Sequence, residues 1–231
     1  MSQATVMITG ANRGLGLEFT RQYAEAGWSV IACCRWPEEA NALRELAERY
    51  GDKIEVHKLD VADYEEIDAL ALILQGRAID VLINNAGVYP QSEFGKIDYQ
   101  AWAEAFHINS MAPMKMVEAF VDHVASSNLK KILTLSSKMG SIDDNTSGGS
   151  YLYRSSKTAV NMVMKSLAID LKPRGIAVAI LHPGWVRTDM GGPNGLIDAP
   201  ESVAGLRRVI EGLNLENSGR FLAYDGKEIP W

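Results

Sequence analysis

Tyr153 and Lys157 form the one place in the chain where a lysine follows a tyrosine by four residues. On a helix, positions four apart share a face, so the Lys157 ammonium can lie beside the Tyr153 phenol. A neighbouring cation favours the phenolate. It draws a phenol whose ordinary pKa is about 10 towards the working range of an acid/base catalyst at neutral pH. Alone, the pair also fits a solvated helix face that happens to carry both residues. Two upstream runs give it context: the glycine-rich Thr9-Gly10-Ala11-Asn12-Arg13-Gly14-Leu15-Gly16 and Asn84-Asn85-Ala86-Gly87.

Gly10, Gly14 and Gly16 stand where an apolar run gives way to a helical pattern. Glycines there permit a tight bend and let the pyrophosphate of a dinucleotide approach the backbone at the positive end of the helix dipole. Their spacing differs from the commoner dinucleotide fingerprint and lacks the Gly-Lys-Ser/Thr ending of a nucleotide-triphosphate loop. The second apolar run ends Ala32-Cys33-Cys34-Arg35, where an NAD-selective site usually carries an acid for the ribose 2′-hydroxyl. No acid stands there. Arg35, together with Arg13, can meet a 2′-phosphate through charge-assisted hydrogen bonds, so the expected cofactor is NADP(H). The alternative is that both arginines only solvate loop ends.

The elements that must position these residues are legible as alternation. Short, mostly aliphatic runs at Thr5 to Thr9, Ser29 to Cys33, Ile54 to Leu59, Val81 to Asn84, Lys131 to Ser136 and Ala177 to His182 read as buried parallel strands. Amphipathic stretches at about Leu15 to Ala26, Glu38 to Tyr50, Tyr64 to Leu74, Tyr99 to Ala125 and Tyr153 to Leu171 lie between them. A last helix near Pro200 to Leu213 and a short strand at Arg220 to Ala223 close the pattern. Strict alternation predicts an α/β fold, a Rossmann-type doubly wound parallel sheet with helices on both faces, as a single domain over residues 1–231. Ligands in such a fold collect outside the carboxyl ends of the strands.

The composition is that of a globular domain, with 47% hydrophobic and 23% charged residues. A net charge of −6 and the lack of any basic run argue against nucleic acid or an anionic membrane as partner. The start, Met1-Ser2-Gln3-Ala4-Thr5, runs into an apolar strand without a leader pattern, and no stretch approaches the ~18 apolar residues of a membrane span. A cytoplasmic address is expected. Cys33 and Cys34 are adjacent and would point to opposite faces of a strand, a poor disulfide or metal pair. The four histidines, His57, His107, His123 and His182, show no metal spacing, and no metal site is expected.

The glycine turn, the Asn84 to Gly87 run and Tyr153 to Lys157 occur in the order and at the separations of the short-chain dehydrogenase/reductase family, which the chain resembles over nearly its whole length. Ser136 to Ser141, Asn145 to Gly149, His182 to Gly192 and the Tyr224-Asp225-Gly226 to Trp231 stretch resemble, more narrowly, the C-factor and sniffer-like carbonyl reductase branch. The resemblance implies that Tyr153 is the proton donor in reduction and that Lys157 holds the nicotinamide ribose and lowers the tyrosine pKa. Ser137 would hydrogen-bond the substrate carbonyl, although its sixteen-residue distance from Tyr153 exceeds the usual gap and leaves Ser141 as a rival. Asn109, shortly before Pro113, matches the position whose backbone holds a proton-relay water. Asp60 and Val61 would bracket the adenine, Asn84, Ala86 and Gly87 would line the floor under its ribose and phosphates, and Pro183, Gly184, Val186 and Thr188 would face the nicotinamide carboxamide and phosphates. Gly10, Asn12, Arg13, Gly14, Leu15, Gly16 and Arg35 complete the expected cofactor contacts, with Tyr153 and Lys157.

The expected function is NADPH-dependent reduction of a small-molecule ketone, aldehyde or quinone, by a homodimer or homotetramer as the family implies. The alternative is a C-factor-like cell-to-cell signalling or regulatory protein that binds NAD(P) with incidental turnover. A serine hydrolase would need a Gly-x-Ser-x-Gly elbow, which the chain lacks. The short, glycine-rich Gly191 to Pro200 connection stands where larger members of the family it resembles often place a longer helical lid. It implies an open, broad substrate mouth with Met139, Tyr89, Trp185 and Met190 as apolar walls.

Overall fold

The computed structural model describes residues 3–231; Met1 and Ser2, with which the expected 1–231 domain begins, lie outside the described residues. Seven parallel strands form one sheet in the order β3-β2-β1-β4-β5-β6-β7. They are β1 (Thr5–Thr9), β2 (Ser29–Cys34), β3 (Ile54–Lys58), β4 (Val81–Asn84), β5 (Lys131–Leu135), β6 (Ala177–His182) and β7 (Phe221–Ala223). The register places Met7 of β1 between Ile31 of β2 and Leu82 of β4. Central strands are buried on both faces, which is why their sequences are unbroken apolar runs rather than alternating ones.

Seven helices cover the two faces: α1 (Gly14–Glu25), α2 (Asn41–Tyr50), α3 (Tyr64–Ile73), α4 (Tyr99–Phe106), α5 (Ala112–Ala125), α6 (Tyr151–Asp170) and α7 (Ala199–Glu211). Phe19 and Tyr23 of α1, Leu43 of α2 and Leu206 and Ile210 of α7 pack into one core layer. Ile67 of α3, Phe120 of α5 and Val160 and Met164 of α6 pack into the other. The central strands therefore feed two cores, and the doubly wound architecture is as the sequence predicts. Among the described residues no helix is long and apolar enough to cross a membrane.

The boundaries shift where local chemistry decides. Asp63 and Asp98 cap α3 and α4 by accepting two backbone N–H bonds each. The stretch read as one helix over Tyr99 to Ala125 is helical throughout but carries a π turn at His107–Met111, just before Pro113. Helix α6 begins two residues before Tyr153, at Tyr151, behind Ser150 in the left-handed region at φ 46°.

The turn after β5 approaches α6 backbone to backbone. A methyl at Gly140 would stand 2.9 Å from both the carbonyl carbon and Cβ of Lys157. Gly140→Ala is therefore expected to cost about 1–3 kcal/mol by overpacking, or several degrees of Tm at about 2–4 °C per kcal/mol for a chain of this size. Gly212 is the control, since it sits at φ −75° and a methyl there would come no nearer than 3.7 Å to any neighbour. Gly212→Ala should leave Tm unchanged or raise it slightly. Equal thermal shifts for the two variants, followed by circular dichroism, would contradict the close-approach argument.

Candidate active site

The strand order reverses between β1 and β4, and a cavity of about 650 Å³ opens there at the carboxyl ends of the strands. Its nucleotide end is built from backbone. Gly10 turns the chain at φ 65° and Gly14 at φ 53°. Helix α1 starts behind Arg13 with no side-chain cap and no acid in its first turn, so its leading N–H groups suit an anion. Thr9 and Asn85 clamp the two turns together: Thr9 Oγ1 accepts from the Asn85 and Ala86 N–H groups at 3.0 Å each. The Asn85 amide donates back to the Thr9 and Gly10 carbonyls at 2.8 and 3.2 Å.

Asn12, Leu15, Asp60, Val61, Ala86, Gly87, Pro183 and Thr188 line this cavity, as do Gly10, Arg13, Gly14 and Arg35. Asp60 is also a local cap, its carboxylate accepting from the Ala62 N–H at 3.0 Å. Arg13 pairs with Asp189 at 3.2 Å across the mouth, with side chains 69% and 79% exposed, a weak pair that a phosphate can displace. Arg35 is exposed and makes no ion pair or side-chain hydrogen bond among the described residues. The missing Cβ atoms, the uncapped helix and the flanking guanidinium groups all fit a phosphorylated dinucleotide.

The other end holds Tyr153 and Lys157, both buried. The Lys157 ammonium donates to the Leu135 carbonyl at 2.8 Å and lies 5.8 Å from the Tyr153 ring centroid. Burial without a carboxylate partner pushes its pKa down to about 8. Burial also pushes Tyr153 up to about 12, against a hydrogen bond with Ser137 that pulls it down. The lowered phenol pKa expected from the spacing is thus corrected in the protein alone: helix geometry brings the cation close, but loss of solvent outweighs it. Tyr89 packs edge-on against Tyr153 with ring centroids 4.4 Å apart.

Several sequence-derived residues sit behind the lining rather than in it. Gly16 serves packing, since a methyl there would meet the Gly10 carbonyl oxygen at 2.1 Å. Asn84 ends β4 buried, its amide 3.4 Å from Thr134 Oγ1, and its neighbour Asn85 lines the cavity instead. Gly184, at φ 87°, makes room for Ile197 and Tyr224, and Val186 is buried in a parallel bridge to Ile197.

Asn109 lies inside the π turn and is 1% exposed. Its side chain ties the loop after β4 to α6, accepting from the Val88 N–H at 2.9 Å and donating to the Val88 carbonyl at 2.9 Å and Ser156 Oγ at 3.0 Å. Pro113 brings no N–H to the carbonyl four residues back, which is that of Asn109. Ser137 heads the Lys138–Gly140 turn, where its hydroxyl accepts from the Met139 N–H at 3.2 Å and lies near enough to Tyr153 to lower its pKa. Ser141, its rival, turns away to the Trp231 carbonyl at 3.1 Å. His182 accepts from the Lys138 N–H through Nδ1 at 3.2 Å and steadies that turn. Burial and the nearby Lys138 hold its pKa down to about 4, so it is neutral.

Cys34, Trp36, Leu59, Asn85, Gln91 and Ile108 also line the cavity and were not anticipated. Of the expected apolar walls, Tyr89 and Met190 line it, whereas Met139 and Trp185 do not. The residues from Gly191 to Pro200 fold back on Trp185–Arg187, with Arg187 N–H donating to Ile197 and Leu196 N–H to Trp185. Among the described residues no helix forms between His182 and Asp198.

The sequence profile of the short chain dehydrogenase family matches residues 4–195. C-signal of Myxococcus xanthus is 47% identical over 154 residues, which is 66% of this chain and 93% of that protein. Two solved structures superpose over the full length of both chains at 32% identity: the carbonyl reductase Sniffer of D. melanogaster with a TM-score of 0.92, and an NADPH-bound carbonyl reductase from chicken fatty liver with a TM-score of 0.94. With its sheet order, glycine turn and tyrosine-lysine helix, the chain belongs to the short-chain dehydrogenase/reductase family of oxidoreductases, in the C-factor and sniffer-like branch.

Proposed function

We propose that the chain is an NADPH-dependent reductase of ketone, aldehyde or quinone carbonyls. One observation carries this reading: a single cavity joins an uncapped helix N-terminus, flanked by Arg13 and Arg35, to a buried Tyr153 and Lys157 pair. The NADPH-bound chicken carbonyl reductase supports the choice of cofactor. Bound there, NADPH supplies the hydride. Gly10, Asn12, Gly14 and Leu15 would hold the pyrophosphate, Arg13 and Arg35 the 2′-phosphate, Asp60 and Val61 the adenine, and Lys157 the nicotinamide ribose. Asn85, Ala86 and Gly87 would form the floor, with Pro183 and Thr188 opposite.

The chain's own residues then manage the proton. Burial keeps Tyr153 protonated, so its hydroxyl donates to the carbonyl oxygen as charge develops there, with Ser137 sharing that oxygen. The Lys157 ammonium stabilises the phenolate left behind, and a relay that starts at the Asn109 carbonyl returns a proton from solvent. The fold-back of Gly191 to Pro200 leaves the substrate side open and favours broad specificity.

The identity to C-signal favours a second reading, signalling with incidental turnover. The intact Asn109, Ser137, Tyr153 and Lys157 set argues for catalysis. NADPH oxidation with a panel of aromatic ketones, aldehydes and quinones separates the two. Turnover of several members is expected, and Tyr153→Phe should bind NADPH but lose about a hundredfold or more of that turnover, the scale of general acid catalysis. Tight NADPH binding without turnover of any member would favour the second reading.

Cofactor choice should reside in Arg35, which has no competing partner among the described residues. Arg35→Ala is expected to weaken NADPH binding by about 1.5 kcal/mol, the low end for a hydrogen bond to a charged group because the side chain is exposed. NADH binding should change little. Equal losses in fluorescence titrations of the two cofactors would remove Arg35 from the 2′-phosphate site.

The pH profile should follow Lys157. Below its pKa of about 8 the ammonium is present, and above it the charge is lost, while Tyr153 at about 12 keeps its proton throughout. Reductive kcat/KM for NADPH reports free-enzyme ionisations. It is expected to be level near neutrality and to fall by about tenfold per pH unit above roughly 8. A profile level to pH 10 would show that the Lys157 charge is dispensable.

A further inference from the structure

We propose that Trp231 is a positioning residue for the substrate side of the site, acting as a latch on the segment that links β5 to α6. The kinetic part of this proposal rests on the carbonyl-reductase reading; the structural part does not.

The linking segment bears on the site at both ends. Ser137, at its start, directly follows Ser136 of the cavity lining, and Ser150, at its end, meets the hydroxyl of Tyr89, also in that lining, at 3.0 Å just before α6 begins. Between them, Ile142 is 73% exposed and the chain from Asp143 to Gly149 forms no regular element. Its own contacts are slight: Lys138 with Asp144 at 3.0 Å, the Gly148 N–H on the Asn145 side chain at 3.0 Å, and Arg154 on Ser147 at 2.9 Å. Exposed ties of this kind hold a loop weakly.

Trp231 supplies what the segment lacks. After β7 the chain turns back on itself, with the Ala223 N–H on the Lys227 carbonyl at 2.8 Å and the Ile229 N–H on the Phe221 carbonyl at 2.8 Å. This return brings the Trp231 carbonyl to the segment, where it accepts from the Asp143 N–H at 2.9 Å and from Ser141 Oγ at 3.1 Å. Ser141 Oγ in turn accepts from the Asp144 N–H at 3.1 Å. The indole is fixed by stacking on the fully buried Phe221, 5.9 Å between centroids, and by the Lys165 ammonium 5.9 Å from its own ring centroid. The sheet thus holds the indole, the indole holds its carbonyl, and the carbonyl holds the segment four residues beyond Ser137. None of these contacts reaches the dinucleotide end.

The test compares Trp231→Ala, Trp231→Phe and Ser141→Ala in the whole chain, by amide hydrogen exchange, NADPH titration and steady-state kinetics with phenanthrenequinone. Trp231→Ala should speed exchange over residues 141–150 by about tenfold or more, the mark of a local opening. It should raise KM for the quinone by about tenfold, since small misplacements of positioning groups have effects of that size or larger, while the Kd for NADPH stays within about twofold. Trp231→Phe should restore both, because a ring still stacks on Phe221, and Ser141→Ala, which removes one of the two ties, should give an intermediate effect. Unchanged exchange over 141–150 in Trp231→Ala overturns the proposal, as does NADPH affinity falling in step with quinone KM, which would mark general destabilisation. A wild-type chain that does not reduce the quinone refutes the reductase reading for that substrate, and the exchange and titration results then decide the latch alone.

Discussion

The site depends on a lysine ammonium held inside the protein by one carbonyl. Lys157 is buried, its hydrogen bond goes to Leu135 at the end of β5, and no carboxylate neutralises it. Its fall from 10.5 to about 8 corresponds to roughly 3 kcal/mol against the charged form. The fold bears that cost, yet the charge survives at neutral pH because 8 still lies above 7. The surroundings are shaped to admit the side chain: a methyl on Gly87 would stand 3.5 Å from its ammonium, and one on Gly140 would meet its backbone. A cation placed in this way is useful because solvent does not screen it from the neighbouring phenol.

Around that charge, the positions of Tyr153, Ser137 and Asn109 are set by three separate elements that are tied together by polar contacts as well as by packing. Ser156, one turn along from Tyr153 in α6, accepts from the Asn109 amide, and Asn109 in turn grips both backbone groups of Val88. Ser110 adds a bond to the Ser156 carbonyl at 2.7 Å. Both contacts leave from the π turn, whose consecutive side chains Asn109 and Ser110 reach Ser156 of the same neighbouring helix. Breaking the helical ladder here therefore contributes an alignment of α6 with β4 that packing alone would leave looser.

Much of this was legible in the sequence, for identifiable reasons. Parallel strands covered on both faces must be apolar throughout, so VLIN, KILTL and AVAILH declare themselves, and glycine turns show because Gly10 and Gly14 sit at positive φ, which favours glycine. The π turn was hidden, since apolar periodicity runs unbroken from Tyr99 to Ala125 and hydrogen-bond registry leaves no mark on it. Asn84 and Asn85 could not be told apart by type. Strand alternation sends them to opposite sides, and only the structure shows which side is the cavity. The raised Tyr153 pKa was missed because spacing reveals a neighbour but not the loss of water around both groups. The hold of Trp231 on the linking segment was hidden because it acts through its main-chain carbonyl, an atom every residue possesses.

The same physics explains why the cofactor class can be read from the sequence more readily than the substrate. The dinucleotide end is made of absences and backbone: missing Cβ atoms, an uncapped helix, an acid not present after β2. Each of these restricts the residue types allowed, and so each is written in the sequence. The substrate end is made of loops whose positions are set at a distance, by His182 on one side of the Ser137 turn and Trp231 on the other. Hydrogen bonds to main-chain groups fix those loops, and main-chain groups carry no residue identity. A change in substrate preference can therefore arise from a shift in the turn or in the linking segment with Tyr153, Lys157, Ser137 and Asn109 all unaltered, so relatives that share the four residues need not share a substrate.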